Sequence, residues 1–240
     1  MVAAHHIKSS LKALGLGALL LAGTAAPASA ATFLVNLTGL NNSGVTGSAT
    51  LELNEIARTL SVALNASGLA QGAHIGHIHG RFDSSGNAID SITPPASADT
   101  DGDGFVELGE GALFYGPILL PLSGIGDVGA DGILNYSQTF DLSDTGVFAD
   151  SFSSEDLFPL TFREIVLHGA NVPANAGAGT GGIIDGTQGT YSLALPVASG
   201  EIVAAIPEPA TWGMLLVGFF GVGGMIRSTK RKRQPTLSFS

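Results

Sequence analysis

Residues 31–65 read ATFLVNLTGLNNSGVTGSATLELNEIARTLSVALN, three runs in which apolar residues recur at every second position. Phe33, Val35 and Leu37 share one parity, residues 45–54 repeat the habit, and Leu60, Val62 and Leu64 close it. Side chains alternate across an extended backbone, so period two marks strands that bury one face. Asn41-Asn42-Ser43-Gly44 and Asn54-Glu55 stand between the runs as turn material. The spacing predicts an antiparallel meander of three strands. Further strand candidates cover residues 73–79, 115–122, 133–142, 164–168 and 191–205, the last interrupted near Pro196, while residues 153–158 suit a single helical turn. No long segment keeps a helical period, so the expected class is all-β, an antiparallel β-sandwich.

The chain has 240 residues, enough for one domain with targeting segments at its ends. Residues 31–206 carry 19 Asp or Glu against Arg58, Arg81 and Arg163, a formal charge of 3 minus 19, or −16. The whole-chain value of −10 conceals this, because Lys8, Lys12 and the five basic residues of 227–233 lie outside that segment. Such acidity argues against nucleic acid as a partner and favours cations. With no cysteine, the fold must hold without disulfides. Glycine, at 34 residues, sits between the apolar runs and follows no fixed repeat, as many short strands and turns require.

Residues 72–80, GAHIGHIHG, concentrate His74, His77 and His79 at the end of a strand-like run. On a strand His77 and His79 share a face, roughly 7 Å apart at ~3.3 Å per residue, while Ile78 points the other way. That spacing suits two ligands of one metal ion, and it equally suits two polar groups at a strand end.

Residues 99–110 read DTDGDGFVELGE and match the twelve-residue EF-hand loop. Asp99, Asp101 and Asp103 supply carboxylates at positions 1, 3 and 5, and Gly104 permits the sharp turn at 6. Phe105 offers a carbonyl at 7, Glu107 stands at 9, and Glu110 can close the site at 12. Hard oxygen ligands crowded together call for a divalent cation, and calcium is the expected one. Pro94 and Pro95 before the loop, and Gly111, Gly116 and Pro117 after it, predict a loop without the paired EF-hand helices, acting as a staple in a β protein.

Three family resemblances follow. The stretch LNASGLAQGAHIGHIHG (64–80), with REIVLHG (163–169) later, resembles the CHRD (chordin-type) domain of secreted bacterial proteins, whose members carry acidic DxDGDG segments followed by EG and YGP, as Glu110-Gly111 and Tyr115-Gly116-Pro117 do here. It covers roughly residues 32–206 and implies an extracellular β-sandwich module. The histidine run is also similar to copper-zinc superoxide dismutase, so the sandwich is expected to be immunoglobulin-like or superoxide-dismutase-like. That likeness makes His77, His79 and His168 candidate ligands of copper or zinc, with His74 a fourth. A two-metal site of that family needs more histidines, and its cysteine pair is absent.

Both ends read as addresses. Residues 1–30 have Lys8 and Lys12 ahead of an apolar run and end in Ala28-Ser29-Ala30, a secretory signal with cleavage expected after Ala30. Pro207-Glu208-Pro209, the apolar residues 210–226 and the basic cluster up to Arg233 closely resemble the PEP-CTERM sorting signal, leaving 234–240 as a tail. This implies signal peptidase and exosortase as processing enzymes, a transient membrane anchor through a C-terminal hydrophobic helix, and delivery to the cell envelope surface or extracellular matrix of a bacterium. The expected function is a calcium-binding, non-enzymatic module of residues 31–206, with exopolysaccharide or surface proteins as partners. The alternative is a metal-dependent enzyme of superoxide-dismutase type built on His77, His79 and His168. No HExxH, phosphate loop or nucleophile elbow appears.

Overall fold

The computed structural model of the chain describes residues 30–149, 151–186, 190–206, 216 and 218–220. The leader with its cleavage site at Ala28 and Ala30, apart from Ala30 itself, lies outside the described residues, as do Pro207, Glu208, Pro209 and the basic cluster. No helix among the described residues is long and apolar enough to cross a membrane.

The predicted meander forms as β1 (Ala31–Gly39), β2 (Thr46–Asn54) and β3 (Thr59–Ser67), joined by the two turns read from the sequence. Asn41 and Asn42 reverse the chain in the left-handed region, at φ 56° and 53°, where asparagine is tolerated better than most side chains. The remaining strands are β4 (Gly72–Ala73), β5 (Ile75–Phe82), β6 (Ala88–Ile89), β7 (Ile118–Pro121), β8 (Asp127–Val128), β9 (Leu134–Asp141), β10 (Arg163–Asn171) and β11 (Tyr191–Ala204). Their order across the main sheet is β9-β3-β2-β1-β11-β10-β5, with β6 and β7 also pairing β5, and β4 pairs β8 separately. Every pairing is antiparallel.

The long β11 joins two wings, pairing β10 along residues 191–201 and β1 along 198–204. Leu51, Leu60, Val62 and Leu64 from one wing share a buried cluster with Ile78, Leu119, Ile165 and Leu167 from the other, so the arrangement is sandwich-like. All eight side chains are fully shielded, and each is worth roughly 1.5–3 kcal/mol relative to exposure.

Alternation along β10 decides what faces the core. Ile165 and Leu167 enter it, and Arg163 lies on the same face, its guanidinium donating to the carbonyls of Asp156, Leu157 and Phe158 above the Phe82 ring. Glu164, Val166 and His168 take the opposite face. On β5 a Cβ at Gly76 would meet Leu167, and one at Gly80 would meet Leu119 and Arg163, so the glycines let the core close while His77 and His79 face away.

One expectation is corrected. A helix, α1 (Leu108–Tyr115), begins inside the acidic loop, and a 3-10 turn (Ala96–Ala98) precedes it, so the loop does have helical flanks, although short ones. Glu107 acts as N-cap, its carboxylate accepting from the Glu110 backbone while the Glu110 side chain accepts from Glu107 N. This is a capping box with Glu where Ser or Thr is usual, and Gly109 and Gly111 interrupt the apolar period, so the segment escapes a pattern search. The strand expected from residue 115 therefore starts at Ile118.

Candidate metal centre

His77 and His79 come from β5 and His168 from β10, neighbours in the sheet, and each offers one ring nitrogen within 4.8 Å of the others. The sheet departs from regular pairing beside these residues. β10 shifts register against β11 on both sides of His168, opposite Pro196, and β5 shifts against β7 between Ile78 and His79. The β5–β10 pairing itself stays regular from Gly80 to Ile75, and its alternation puts His77, His79 and His168 on one face. Ring centroids lie 5.5 Å apart for His77 and His79, 5.2 Å for His77 and His168, and 6.1 Å for His79 and His168.

Hydrogen bonds set the tautomers. His79 Nδ1 donates to the Gly116 carbonyl at 2.8 Å and His168 Nδ1 to the Ala194 carbonyl at 2.9 Å, since a carbonyl can only accept. Each proton then sits on Nδ1 and the Nε2 lone pair is free. His79 Nε2, His168 Nε2 and His77 Nδ1 are buried and have no hydrogen-bond partner. Buried polar atoms are normally satisfied, so three together are an anomaly that a shared cation resolves. Three donors at about 2.0–2.1 Å from one ion stand roughly 3.3–3.6 Å apart.

Electrostatics favours neutral, ligating rings. Burial lowers the His79 pKa to about 3, opposed by its bond to Gly116 and assisted by the charges of His168 and His77. Burial lowers His168 to about 4 against its bond to Ala194, and burial followed by the charge of His168 lowers His77 to about 4. His77 is only partly shielded as a residue, although its Nδ1 is buried.

His74 does not join the other three. Its ring nitrogens face the carbonyls of His168 at 3.0 Å and Ala70 at 2.8 Å, and Tyr191 packs edge-on against it. It braces the backbone behind His168 and leaves three imidazoles, a set for one ion.

Several groups here have no motif of their own. Tyr115, fully buried at the end of α1, packs its ring 4.6 Å from that of His79, and the next residue, Gly116, supplies the carbonyl that orients His79. Gly116 has φ 83°, and a Cβ there would overlap the Gly80 carbonyl. Glu164, fully buried and directly opposite His79 across the strands, accepts from Thr93 at 2.6 Å and from Ser199. Burial raises its pKa to about 7, partly offset by those two bonds and assisted by the charges of Glu201 and Asp90. Period two across residues 163–169 puts Glu164 on the face of His168, a signal present in the sequence. Tyr115 and Gly116 carry none, because their place depends on how α1 docks.

The acidic loop leads into the N-terminal end of α1, while Tyr115 stands at the other end. Asp99, Asp101 and Asp103 each bring an oxygen within 4.8 Å of the others, and Asp103 Oδ2 is buried and unpartnered. Asp99 accepts from the backbone of Gly102, Asp103 and Gly104. Burial, then the charges of Asp101, Glu107 and Asp99, raises the Asp103 pKa to about 6 against a bond from Phe105 N. Glu107 and Glu110 stand outside this trio. Glu107 accepts from Ile184 N, and Glu110 accepts from the backbone and hydroxyl of Thr100 at 2.6 and 2.7 Å. Burial opposes the charged form of Glu110, but those bonds and the one from Glu107 N outweigh it and hold its carboxyl below the usual range. Phe105 packs near Val172, Ile184 and Leu195. Asn41 ties the loop to β11, accepting from Val106 N at 2.6 Å and donating to the carbonyls of Val106 and Pro196.

No protein-family model matches the chain, and no curated protein matches it.

Proposed function

We propose that this chain is an exported metal-binding β-sandwich of the bacterial envelope surface or extracellular matrix, holding one zinc or copper ion on His77, His79 and His168. The observation that carries this reading is the convergence of three imidazoles whose free nitrogens are buried and unpartnered, two of the rings being oriented by backbone carbonyls. Imidazole suits zinc and copper, and an outer hydrogen bond that fixes the tautomer is the usual accompaniment of a ligating histidine. Export and sorting rest on the leader and on the Pro207-Glu208-Pro209 signal, with signal peptidase and exosortase as processing enzymes and polysaccharide or surface proteins as further partners. With three imidazoles for one ion, a binuclear superoxide-dismutase centre is not part of this reading. The test is metal analysis of the purified chain. About one equivalent of zinc or copper is expected, absent from the His77→Ala, His79→Ala double variant; a wild-type protein that retains neither after loading and dialysis sinks the proposal.

A second ion is favoured by one feature, the Asp99, Asp101 and Asp103 cluster with its unpartnered Asp103 oxygen. We assign it calcium. At a hundredfold excess over Kd, binding to the folded form stabilises by about 2.7 kcal/mol, and extracellular modules bind at roughly 10⁻⁴ to 10⁻³ M, so millimolar calcium is needed. Asp101→Ala should remove the rise in melting temperature and His77→Ala should not. Superimposed melting curves in calcium and in chelator would leave the loop an acidic turn.

A further inference from the structure

We propose that Glu164 is the buried counter-charge of the three-histidine centre, which makes that centre a site for a divalent ion in preference to a monovalent one. This rests on the reading of His77, His79 and His168 as ligands. Three neutral imidazoles bring no negative charge, so a bound ion would leave its whole charge in a shielded site, at a cost of several kcal/mol unless a carboxylate stands near. Glu164 is fully buried, on the same face of β10 as His168. It is the direct cross-strand partner of His79, which places their Cβ atoms roughly 4.5–5.5 Å apart.

Its bonding is one-sided. Oε1 accepts from Thr93 and Ser199, while Oε2 is buried with no partner. Both partners are neutral hydroxyls. The arginines of the described residues are engaged elsewhere: Arg58 donates to Ser154, Arg81 to the Asp90 carbonyl, and Arg163 to backbone carbonyls on the opposite face of β10. A carboxyl shielded from water, half-satisfied and lacking a basic partner stays protonated unless a cation stands beside it, and a metal ion would favour its charged form. It lies outside the cluster of converging donors, so its role is electrostatic positioning and not ligation.

The test compares Zn²⁺ with Cu⁺, the latter under reducing, oxygen-free conditions, on the full wild-type chain and on Glu164→Gln. Loss of an outer partner typically weakens metal binding roughly 10–100-fold, the effect expected for Zn²⁺. Coulomb energy scales with ion charge, so Cu⁺ should lose only half as much free energy, roughly 3–10-fold. A purely structural role would weaken both ions alike. Equal losses for the two ions, or unchanged Zn²⁺ affinity in Glu164→Gln, overturn the proposal while leaving the histidine centre standing. Failure of the wild-type chain to bind either ion overturns the centre itself. Should Glu164→Gln not fold, Glu164→Asp, which keeps the charge but withdraws it by one methylene, should still weaken Zn²⁺ more than Cu⁺, and an equal effect on both again overturns the proposal.

Discussion

Zinc at a thousandfold excess over its Kd is expected to raise the melting temperature by roughly 8–16 °C, and His77→Ala to abolish the gain. The figure follows from a ligand that binds only the folded form, about 4.1 kcal/mol at that excess, and from a response of about 2–4 °C per kcal/mol for a domain of 150–250 residues. His77 is the informative position because its Nδ1 has no hydrogen-bond partner to lose. His79→Ala and His168→Ala would also free the Gly116 and Ala194 carbonyls and so lower the stability of the metal-free protein. Calorimetric scans of wild type and His77→Ala, with and without zinc, make the comparison. Wild-type scans that coincide would show the three rings to be packing groups.

Metal-free protein loses stability as pH falls from 6.5 toward 4.5. The imidazoles titrate near 6.5 when unfolded, but in the fold burial lowers His79 to about 3 and His168 to about 4. Above pH 6.5 the rings are neutral in both states and their contribution is intact. Below it the unfolded chain takes up protons that the fold refuses, at about 1.4 kcal/mol per pH unit for each ring, until the folded pKa values are reached. His77, lowered to about 4 but partly exposed, adds less. Glu164 works the other way, since its folded pKa of about 7 lies above the ordinary 4.5 and it gains stability as pH falls through the same window. Glu164 offsets about one ring, and Asp103, raised to about 6 but only partly shielded, offsets part of another, so the net loss is below ~1.4 kcal/mol per pH unit. Glu110, held below its ordinary 4.5, adds its own loss only below that pH. Urea unfolding at pH 7 and pH 5 reads the difference, and zinc should reduce it by holding the rings deprotonated. Stability of Asp103→Asn protein that does not fall between those pH values means that the imidazoles protonate within the fold.

The two outcomes bear on one another. A centre that stabilises when loaded and weakens the fold in acid when empty couples metal retention to pH, because protons and metal compete for the same nitrogens. The ion would then be released in the pH range where the empty form is least stable.

What the sequence determined by itself is what neighbouring residues decide. The β1-β2-β3 meander was legible because alternation in Leu60, Val62 and Leu64 is a local consequence of strand geometry, and Asn41 to Gly44 bring their own turn chemistry. The shared face of His77 and His79 and the clustering of Asp99, Asp101 and Asp103 follow from spacing in the same way. Tertiary structure alone decided the rest. His168 was a candidate beside His77 and His79 and His74 a fourth, and β10 lies against β5 in a register that brings His168 to the pair, while His74 turns to the carbonyls of Ala70 and His168. Glu107 and Glu110 match the EF-hand positions, but the cap of α1, Thr100 and Ile184 claim their oxygens. Gly116 and Glu164 acquire meaning only once α1 docks on β5 and β10 pairs with it. These choices are made between segments tens of residues apart, where long-range pairing and burial outweigh anything the local pattern encodes.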